Sequence, residues 1–134
     1  MISFTIKLAP ISKKNSQQIL RNGKTGRPFI AQSSQYKRYE KDCMWFIPKG
    51  IHIDYPVNVR CLFYMPTRRR VDKSNLEAAI HDILVKSGLL ADDNRDIIAA
   101  TDGSRVYYDK DNPRTEVFIS PMEGYEQWRN GANR

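Results

Sequence analysis

The strongest constraint on the fold is a helical stretch from residue 74 to residue 88, which lies between two stretches with strand-like alternation. Ser74 and Glu77 have the spacing of a capping box, and Gly88 stands where helices commonly end. Apolar residues recur at helical spacing along one face: Leu76, Ala79, Ile80, Ile83 and Leu84. A helix of this kind must bury its apolar face on a neighbouring layer, so the sequence predicts an α+β domain.

The flanking segments supply the sheet. Period-two alternation predicts strands at 2–8 and 57–65, a long strand at 96–108 with a bulge at Gly103, and a last strand at 114–120. The predicted sheet is mixed or largely antiparallel, with two main helices packed on it. A single domain is expected over residues 1–121, and residues 122–134 are expected to form a peripheral tail.

The segment before residue 48 supplies a hairpin and the other helix. Residues 17–31 predict a hairpin whose tip contains Asn22-Gly23 and Gly26. A helix is predicted from Ser33 to about Ile47, with one face turned inward and the basic residues elsewhere. The inward residues are Tyr36, Tyr39, Cys43 and Phe46, and the outward ones are Lys37, Arg38 and Lys41.

The charge of the chain points to an acidic partner. Lys and Arg number 22 against 15 acids in 134 residues, which gives a formal charge of +7 and a pI near 9.5. Nucleic acid is the first candidate partner and an anionic membrane surface the second.

Cys43 and Cys61 are not in a CxxC pair, so they are read as reduced core thiols rather than zinc ligands. No membrane span or signal peptide is expected, and the predicted location is cytoplasmic.

The stretch RRRVDKSN combines three arginines with Asp72, and two more acids, Asp92 and Asp93, follow the helix. The arginines either neutralise Asp72 in a salt-bridged surface loop or hold a polyanion beside a metal-binding acid. The helix spans roughly 20 Å, so the acids meet only if the following loop folds back along its flank. Asp82 shares a flank with Asn75 and is expected to face the same place. Mg²⁺ is commonly held by one or two carboxylates, with water and phosphate as further ligands.

These residues resemble the signature of the RusA family of Holliday junction resolvases. The central likeness is RRRVDKSNLEAAIHDILVKSGLLADDNRDI, and it is extended by LAPISKKN before it and DGSRVYYDKDNPRTEVFI after it. The resemblance covers residues 1–121 and implies a RusA-like α+β fold and a small homodimer. It further implies an Mg²⁺-dependent endonuclease, with Mn²⁺ as a possible substitute. Such an enzyme binds four-way DNA junctions and nicks two opposed strands, leaving 5′-phosphates, in recombination and repair in a bacterial or phage-infected cell.

Position by position, the resemblance implies the roles of the acids. Asp72 and Asp93 match the essential aspartates that hold the metal for hydrolysis, and Asp92 accompanies them as a third candidate ligand. Ser74, Asn75 and Asp82 are expected to support these ligands. Two positions depart from the family pattern: Ser74 replaces an aspartate and Ala78 replaces a lysine. Lys73 is a candidate stand-in for that lysine at the catalytic site.

Three basic loops are predicted to contact DNA phosphates: Lys13 and Lys14; Arg21, Lys24 and Arg27; and Arg68, Arg69 and Arg70. The main rival hypothesis is a non-catalytic, structure-selective DNA-binding protein of the same fold. A basic RNA-binding domain is a further alternative, but it leaves the acids unexplained. GKTG lacks the P-loop spacing, so no small-molecule cofactor is expected. His52 and His81 have no Cys or His partner and are read as non-ligands.

Overall fold

The computed structural model describes residues 1–13 and 17–124. Its elements in chain order are β1 (Ile2–Ile6), β2 (Gln17–Arg21), β3 (Pro28–Gln32), α1 (Ser34–Cys43), β4 (Val57–Met65), α2 (Lys73–Lys86), β5 (Ile98–Ala100), β6 (Arg105–Tyr108) and β7 (Arg114–Pro121). Five strands form one mixed sheet, while β2 and β3 pair only with each other. The α+β prediction is confirmed. Over the described ranges, no helix has the length and apolar character needed to span a membrane.

The main sheet places β7 between β1 and β4, antiparallel to both. On its other side, β4 pairs with β5 and then with β6, both parallel to it. The parallel pairing requires a crossover connection, and α2 is that crossover because it follows β4 and precedes β5. The arginine loop and Asp72 therefore lie where the chain leaves β4 and enters α2.

The core lies between the two helices and the sheet. The predicted apolar face of α2 is buried, as are Tyr36, Tyr39 and Cys43 of α1 and the alternating residues Val57, Val59, Cys61 and Phe63 of β4. Both cysteines are free and buried, as predicted. Burial raises the pKa of each thiol to about 12, so neither is ionised near neutral pH.

The start of α2 differs from the prediction. Its N-cap is Asp72, not Ser74, and the helix begins at Lys73. Glu77 was expected to close a capping box, but it forms an ion pair with Lys73, four residues earlier. Asp and Ser are both preferred N-cap residues, so the sequence offers two candidates two positions apart. The extended backbone of Asp72 (φ −85°, ψ 117°) makes it the cap.

The predicted long strand at 96–108 was also wrong. It is divided into β5 and β6 by a turn in which the Ser104 N–H donates to the Thr101 carbonyl at 3.2 Å. The Asn58 side chain bonds both backbone groups of Asp102, at 3.2 Å and 2.7 Å, and so takes that residue out of the strand ladder. Gly103 adopts φ +86°, a conformation that other residues rarely adopt.

The helix predicted from Ser33 to about Ile47 is shorter than expected. Ser33 is the N-cap of α1, but the helix ends at Cys43, and bonds between residues three apart carry the chain to Phe46. Pro48 disfavours helical backbone in Ile47, so no helix continues past that residue. The hairpin at 17–31 is confirmed as β2 and β3. Most of the expected peripheral tail, residues 125–134, lies outside the described ranges.

Candidate functional site

Asp72 is fixed at the start of α2 by Ser74. Its Oδ1 accepts hydrogen bonds from the Ser74 N–H at 3.0 Å and from the Ser74 hydroxyl at 2.7 Å. The carboxylate is exposed, and it lies at the N-terminal, positive end of the helix dipole. Ser74 therefore orients Asp72 and is not itself a cap. An exposed, oriented carboxylate is suitable for holding a cation.

Lys73 and Asn75 flank this carboxylate but are occupied locally. The Lys73 ammonium forms an ion pair with Glu77 Oε1 on the next turn of α2. The Asn75 N–H donates to the Asp72 carbonyl at 3.2 Å as part of the first turn. A catalytic contribution from Lys73 would therefore require its side chain to leave Glu77.

Asp92 and Asp93 lie in the loop that returns from the end of α2. Leu89 and Leu90 anchor the loop in the core, and Leu90 bridges to Ile53. The Asp93 N–H donates to Asp92 Oδ1 at 2.7 Å, so the two acids form one tight turn. Both are exposed. This turn presents two carboxylates to solvent close together.

The returning loop brings Asp93 within electrostatic range of His81 on α2. His81 senses the negative charge of Asp93, although His81 lies more than one turn before the end of the helix. Burial lowers the pKa of His81, while the charges of Glu77 and Asp93 oppose that effect.

The described residues contain no group of three or more His, Cys, Asp or Glu side chains arranged to hold a metal ion. The joint assignment of Asp72, Asp92 and Asp93 as ligands therefore stays a prediction. A cation that takes one or two carboxylates, with water and substrate phosphate as its other ligands, is compatible with these exposed acids. Their hard oxygen donors suit Mg²⁺ better than a soft transition metal.

Asp82 has structural partners in the resting chain. Its Oδ2 lies 2.8 Å from Lys13 Nζ and 3.2 Å from Lys86 Nζ, and Lys86 also binds Glu40 at 3.0 Å. Burial alone would raise the pKa of Asp82, but the hydrogen bonds from both lysines outweigh it and hold the pKa below its usual value. This network joins the segment after β1 to both helices. The structure thus gives Asp82 and Lys13 a packing role, and their predicted roles at the site remain untested.

The arginine loop leads directly into Asp72. Arg68, Arg69 and Arg70 are all exposed, and the Arg68 guanidinium stacks on the Tyr108 ring at 4.5 Å. Arg69 and Arg70 line a surface cavity of about 400 Å³ together with Met65, Thr67 and Val71. A cation stacked on an aromatic ring keeps its charge while losing freedom. The loop is therefore a partly ordered cationic surface next to an exposed carboxylate.

The hairpin carries the next group of predicted DNA contacts. Arg21, Lys24 and Arg27 are exposed around its tip. The tip is ordered by Asn22, whose Oδ1 accepts from the N–H groups of Lys24 and Thr25, and by a bond from Arg21 Nη1 to the Gly26 carbonyl at 3.1 Å. Lys14, predicted with Lys13, lies outside the described residues.

Sequence reasoning named Lys73 but missed the row that it forms with Glu77 and His81. These three residues recur every four positions, so they share one flank of α2. His81 Nε2 is buried and has no hydrogen-bond partner among the described residues. The four-residue spacing was a visible signal, but only the structure shows that the charge of Asp93 acts on His81, the last residue of the row.

Two comparisons with known proteins bear on this site. A family model described as endodeoxyribonuclease RusA matches residues 8–120. The chain is also similar to the crossover junction endodeoxyribonuclease RusA of Aquifex aeolicus (strain VF5), with 26% identity over 96 residues that cover 69% of this chain and 72% of that protein. The segment matched by the family model includes the arginine loop, α2 and the returning acidic turn.

Proposed function

The chain belongs to the RusA family of endodeoxyribonucleases, and we propose that it resolves four-way DNA junctions by Mg²⁺-dependent nicking of two opposed strands. Membership makes it a phosphodiester-cleaving enzyme whose family generally works with a divalent metal. The choice of Mg²⁺, the paired nicks and the four-way substrate are the proposal. The similar Aquifex protein carries crossover junctions in its name, which supports the same substrate class here.

One observation carries the proposal: three exposed arginines are separated by a single residue, Val71, from an exposed carboxylate that is oriented by Ser74. The arginines bind backbone phosphates, whose charge dominates affinity for DNA. A carboxylate so close to bound phosphate repels it unless a cation lies between them. The juxtaposition is useful for phosphodiester hydrolysis and has no evident advantage for a simple DNA-binding loop.

In this proposal Asp72 holds the metal, with Asp93 or Asp92 as the other protein ligand. When bound, the metal would neutralise charge on the phosphate and activate a water molecule for attack. Ser74 keeps Asp72 in one orientation, and the arginines position the strand so that the phosphodiester faces that carboxylate. Lys73 moves its ammonium from Glu77 to the scissile phosphate, where it stabilises the charge that develops in the transition state. The 3′ oxygen leaves, so the product carries a 5′-phosphate.

Paired nicks require two sites at once, and a homodimer supplies them. Each subunit then cuts one of two opposed strands, which matches the symmetry of a four-way junction. The product of both cuts is two duplexes that ligation can seal, a reaction that serves DNA recombination and repair. This function places the protein with DNA in the cytoplasm of a bacterial or phage-infected cell.

The first prediction concerns Asp72→Asn. Asparagine caps helices about as well as aspartate, so the fold is retained while a charged ligand is lost. We expect Mg²⁺-dependent paired nicks in a labelled four-way junction with the unmodified protein and none with Asp72→Asn, whose junction binding is kept or strengthened. Asp111→Asn removes an equally exposed charge in the turn before β7 and should cut normally.

The outcomes separate the rival functions. Tight junction binding without nicks in Mg²⁺ or Mn²⁺, by the unmodified protein, would contradict the proposal and favour a structure-selective binding protein. Equal cutting by Asp72→Asn and the unmodified protein would remove Asp72 from the reaction. Loss of binding and fold together in Asp72→Asn would make its role purely structural.

A further inference from the structure

A cationic face on α1 has no part in the site described above. Lys37, Arg38 and Lys41 are exposed on the outer side of the helix, and Trp45 follows Lys41 at the same four-residue spacing. Lys49 adds a fourth cation, and its Nζ donates to the Met44 carbonyl at 3.0 Å. None of the four cations forms an ion pair with another described residue. Asp42, half-buried, is the acid at the edge of this face.

Trp45 is unusually open for a tryptophan. Its side chain is 84% exposed, although large aromatic side chains are normally well buried. Together with Lys41, Met44 and Lys49 it lines a surface cavity of about 360 Å³. The indole therefore has a free face beside a shallow recess whose other walls are a flexible apolar side chain and two ammonium groups. The combination of an exposed aromatic ring and neighbouring cations can stack a base and hold its phosphates.

The position of this face relative to Asp72 follows from contacts between the helices. Lys13 binds Asp82 and also lies over the Tyr36 ring, and Glu40 binds Lys86. Tyr36 and Glu40 thus lie beside Asp82 and Lys86 in the same order, so α1 and α2 run in the same direction. Trp45 comes after Glu40 in the chain, so it lies near the C-terminal end of α2. Asp72 caps the N-terminal end of α2, and the two ends of this 14-residue helix are roughly 20 Å apart. The two surfaces are separate.

We propose that Trp45, flanked by Lys37, Lys41 and Lys49, is a second nucleic-acid contact that takes a single-stranded segment by stacking one base on the indole. Sites for single strands combine cations that follow the backbone with aromatic rings on which bases stack. Both elements are present here, and Lys37, Lys41 and Trp45 extend over roughly 12 Å of helix, enough to face several nucleotides. Paired duplex bases do not offer an open ring face, so the exposed indole favours an unpaired strand.

Two other partners fit the face less well. An anionic lipid surface would attract the lysines, but α1 buries its apolar side on the sheet and presents one aromatic ring rather than an apolar stripe. A second copy of this chain would bring two sets of unpaired cations together, which disfavours that contact. Single-stranded nucleic acid satisfies both the charge and the open ring.

The test uses Trp45 itself as the reporter. The chain has two tryptophans, Trp45 and Trp128, so the full-length Trp128→Phe variant leaves Trp45 as the only indole. Titration with oligothymidylate of about ten nucleotides should quench its fluorescence to saturation, and a hairpin duplex of equal charge should quench it far less. Trp45→Ala should weaken oligothymidylate binding between about five-fold and one hundred-fold, and Trp45→Phe should restore most of it.

Paired lysine variants test the electrostatic part. Lys37→Gln with Lys41→Gln should reduce the slope of log affinity against log salt by roughly 1.4 for a single strand. Lys7→Gln with Lys110→Gln removes the same formal charge from exposed lysines elsewhere and should leave the slope unchanged. Equal effects of the two pairs would overturn the assignment of the α1 face.

Three other outcomes would overturn the inference. Equal quenching of Trp45 by the duplex would remove the preference for a single strand. A fluorescence change with phosphatidylserine vesicles but none with oligothymidylate would favour a lipid surface, and self-association that disappears in Trp45→Ala would favour a second copy of the chain. The inference stands apart from the proposed cleavage. A chain that does not nick junctions but shows strand-dependent quenching of Trp45 would retain it. If the protein nicks junctions but the fluorescence of Trp45 does not respond to single strands, the inference about Trp45 is wrong and the proposed nuclease function stands.

Discussion

At the scale of single residues, Asp72 has two tasks that different substitutions separate. It caps α2 through Ser74, and it is the candidate metal ligand. Asp72→Ala should remove both, and it should lower the free energy of unfolding by about 1 kcal/mol, the usual cost of losing a helix cap. Urea denaturation of Asp72→Ala beside Asp72→Asn checks this. Equal stability of the two variants would mean that the cap contributes nothing.

A second residue-scale prediction concerns His81 and pH. Burial lowers the pKa of His81 in the folded protein below the usual value of 6.5, despite the opposing charges of Glu77 and Asp93. The unfolded chain therefore binds more protons than the folded chain as the pH falls through 6.5, and stability falls with it. His81→Gln should flatten this part of the profile. Chemical denaturation at pH 7.5 and 5.5 measures it, and an unchanged profile in the variant would exclude His81 as the cause.

The sequence shows which of the predicted site residues are neighbours in the chain, but it does not show what the others contact. Asp72 and the arginines are neighbours in the chain, so their proximity in space could be predicted without knowing the fold. Asp82, in contrast, pairs with Lys86 on α2 and with Lys13 in the segment after β1. No sequence pattern predicts the ion pair with Lys13. Ser74 was assigned the cap because serine and aspartate are chemically equivalent in that role until the backbone angles are known.

At the scale of elements, the turn between β5 and β6 contains a glycine in the left-handed backbone conformation. A Cβ placed on Gly103 would lie 2.8 Å from Cδ of Arg60, and the residue has φ +86°. Gly103→Ala should therefore cost about 1–2 kcal/mol for the left-handed backbone, plus the displacement of Arg60. Gly88→Ala is a matched control, since Gly88 has φ +87° and open space around it.

The contact with Arg60 is isolated by a double-mutant cycle. If it adds to the strain, Gly103→Ala should be more destabilising than Gly88→Ala, and the difference should shrink in an Arg60→Ala background. Thermal unfolding of the single and double variants provides the comparison. Equal losses for the two glycines in both backgrounds would show that Arg60 moves aside without cost.

Elements with a strong local pattern were predictable and those set by distant groups were not. The apolar spacing of α2 and the alternation of β4 identify both elements and their buried faces from sequence. The sequence pattern at 96–108 is compatible with one bulged strand or with two strands separated by a turn at Gly103. The distinction comes from the Asn58 side chain, which lies on β4, more than forty positions away along the chain.

At the scale of the whole molecule, affinity for DNA is governed by the distribution of positive charge. Arg68→Ala with Arg70→Ala removes two cations beside Asp72 and should weaken junction binding. It should also reduce the slope of log affinity against log salt by about 1.8 for duplex arms. Binding titrations over a range of salt concentrations measure both quantities. An unchanged slope would mean that the arginine loop does not contact phosphate.

The position of β7 in the middle of the sheet has a consequence for synthesis. β1 is made first among the sheet strands and β7 last, yet each residue of β1 pairs with β7, and β4 also depends on β7 for its antiparallel edge. A ribosome adds roughly 5–20 residues per second, so β1 and β4 wait several seconds for their common neighbour. Until then both present unpaired edges and apolar side chains, which favour aggregation. The antiparallel half of the sheet therefore forms last, when β7 emerges and pairs with both β1 and β4.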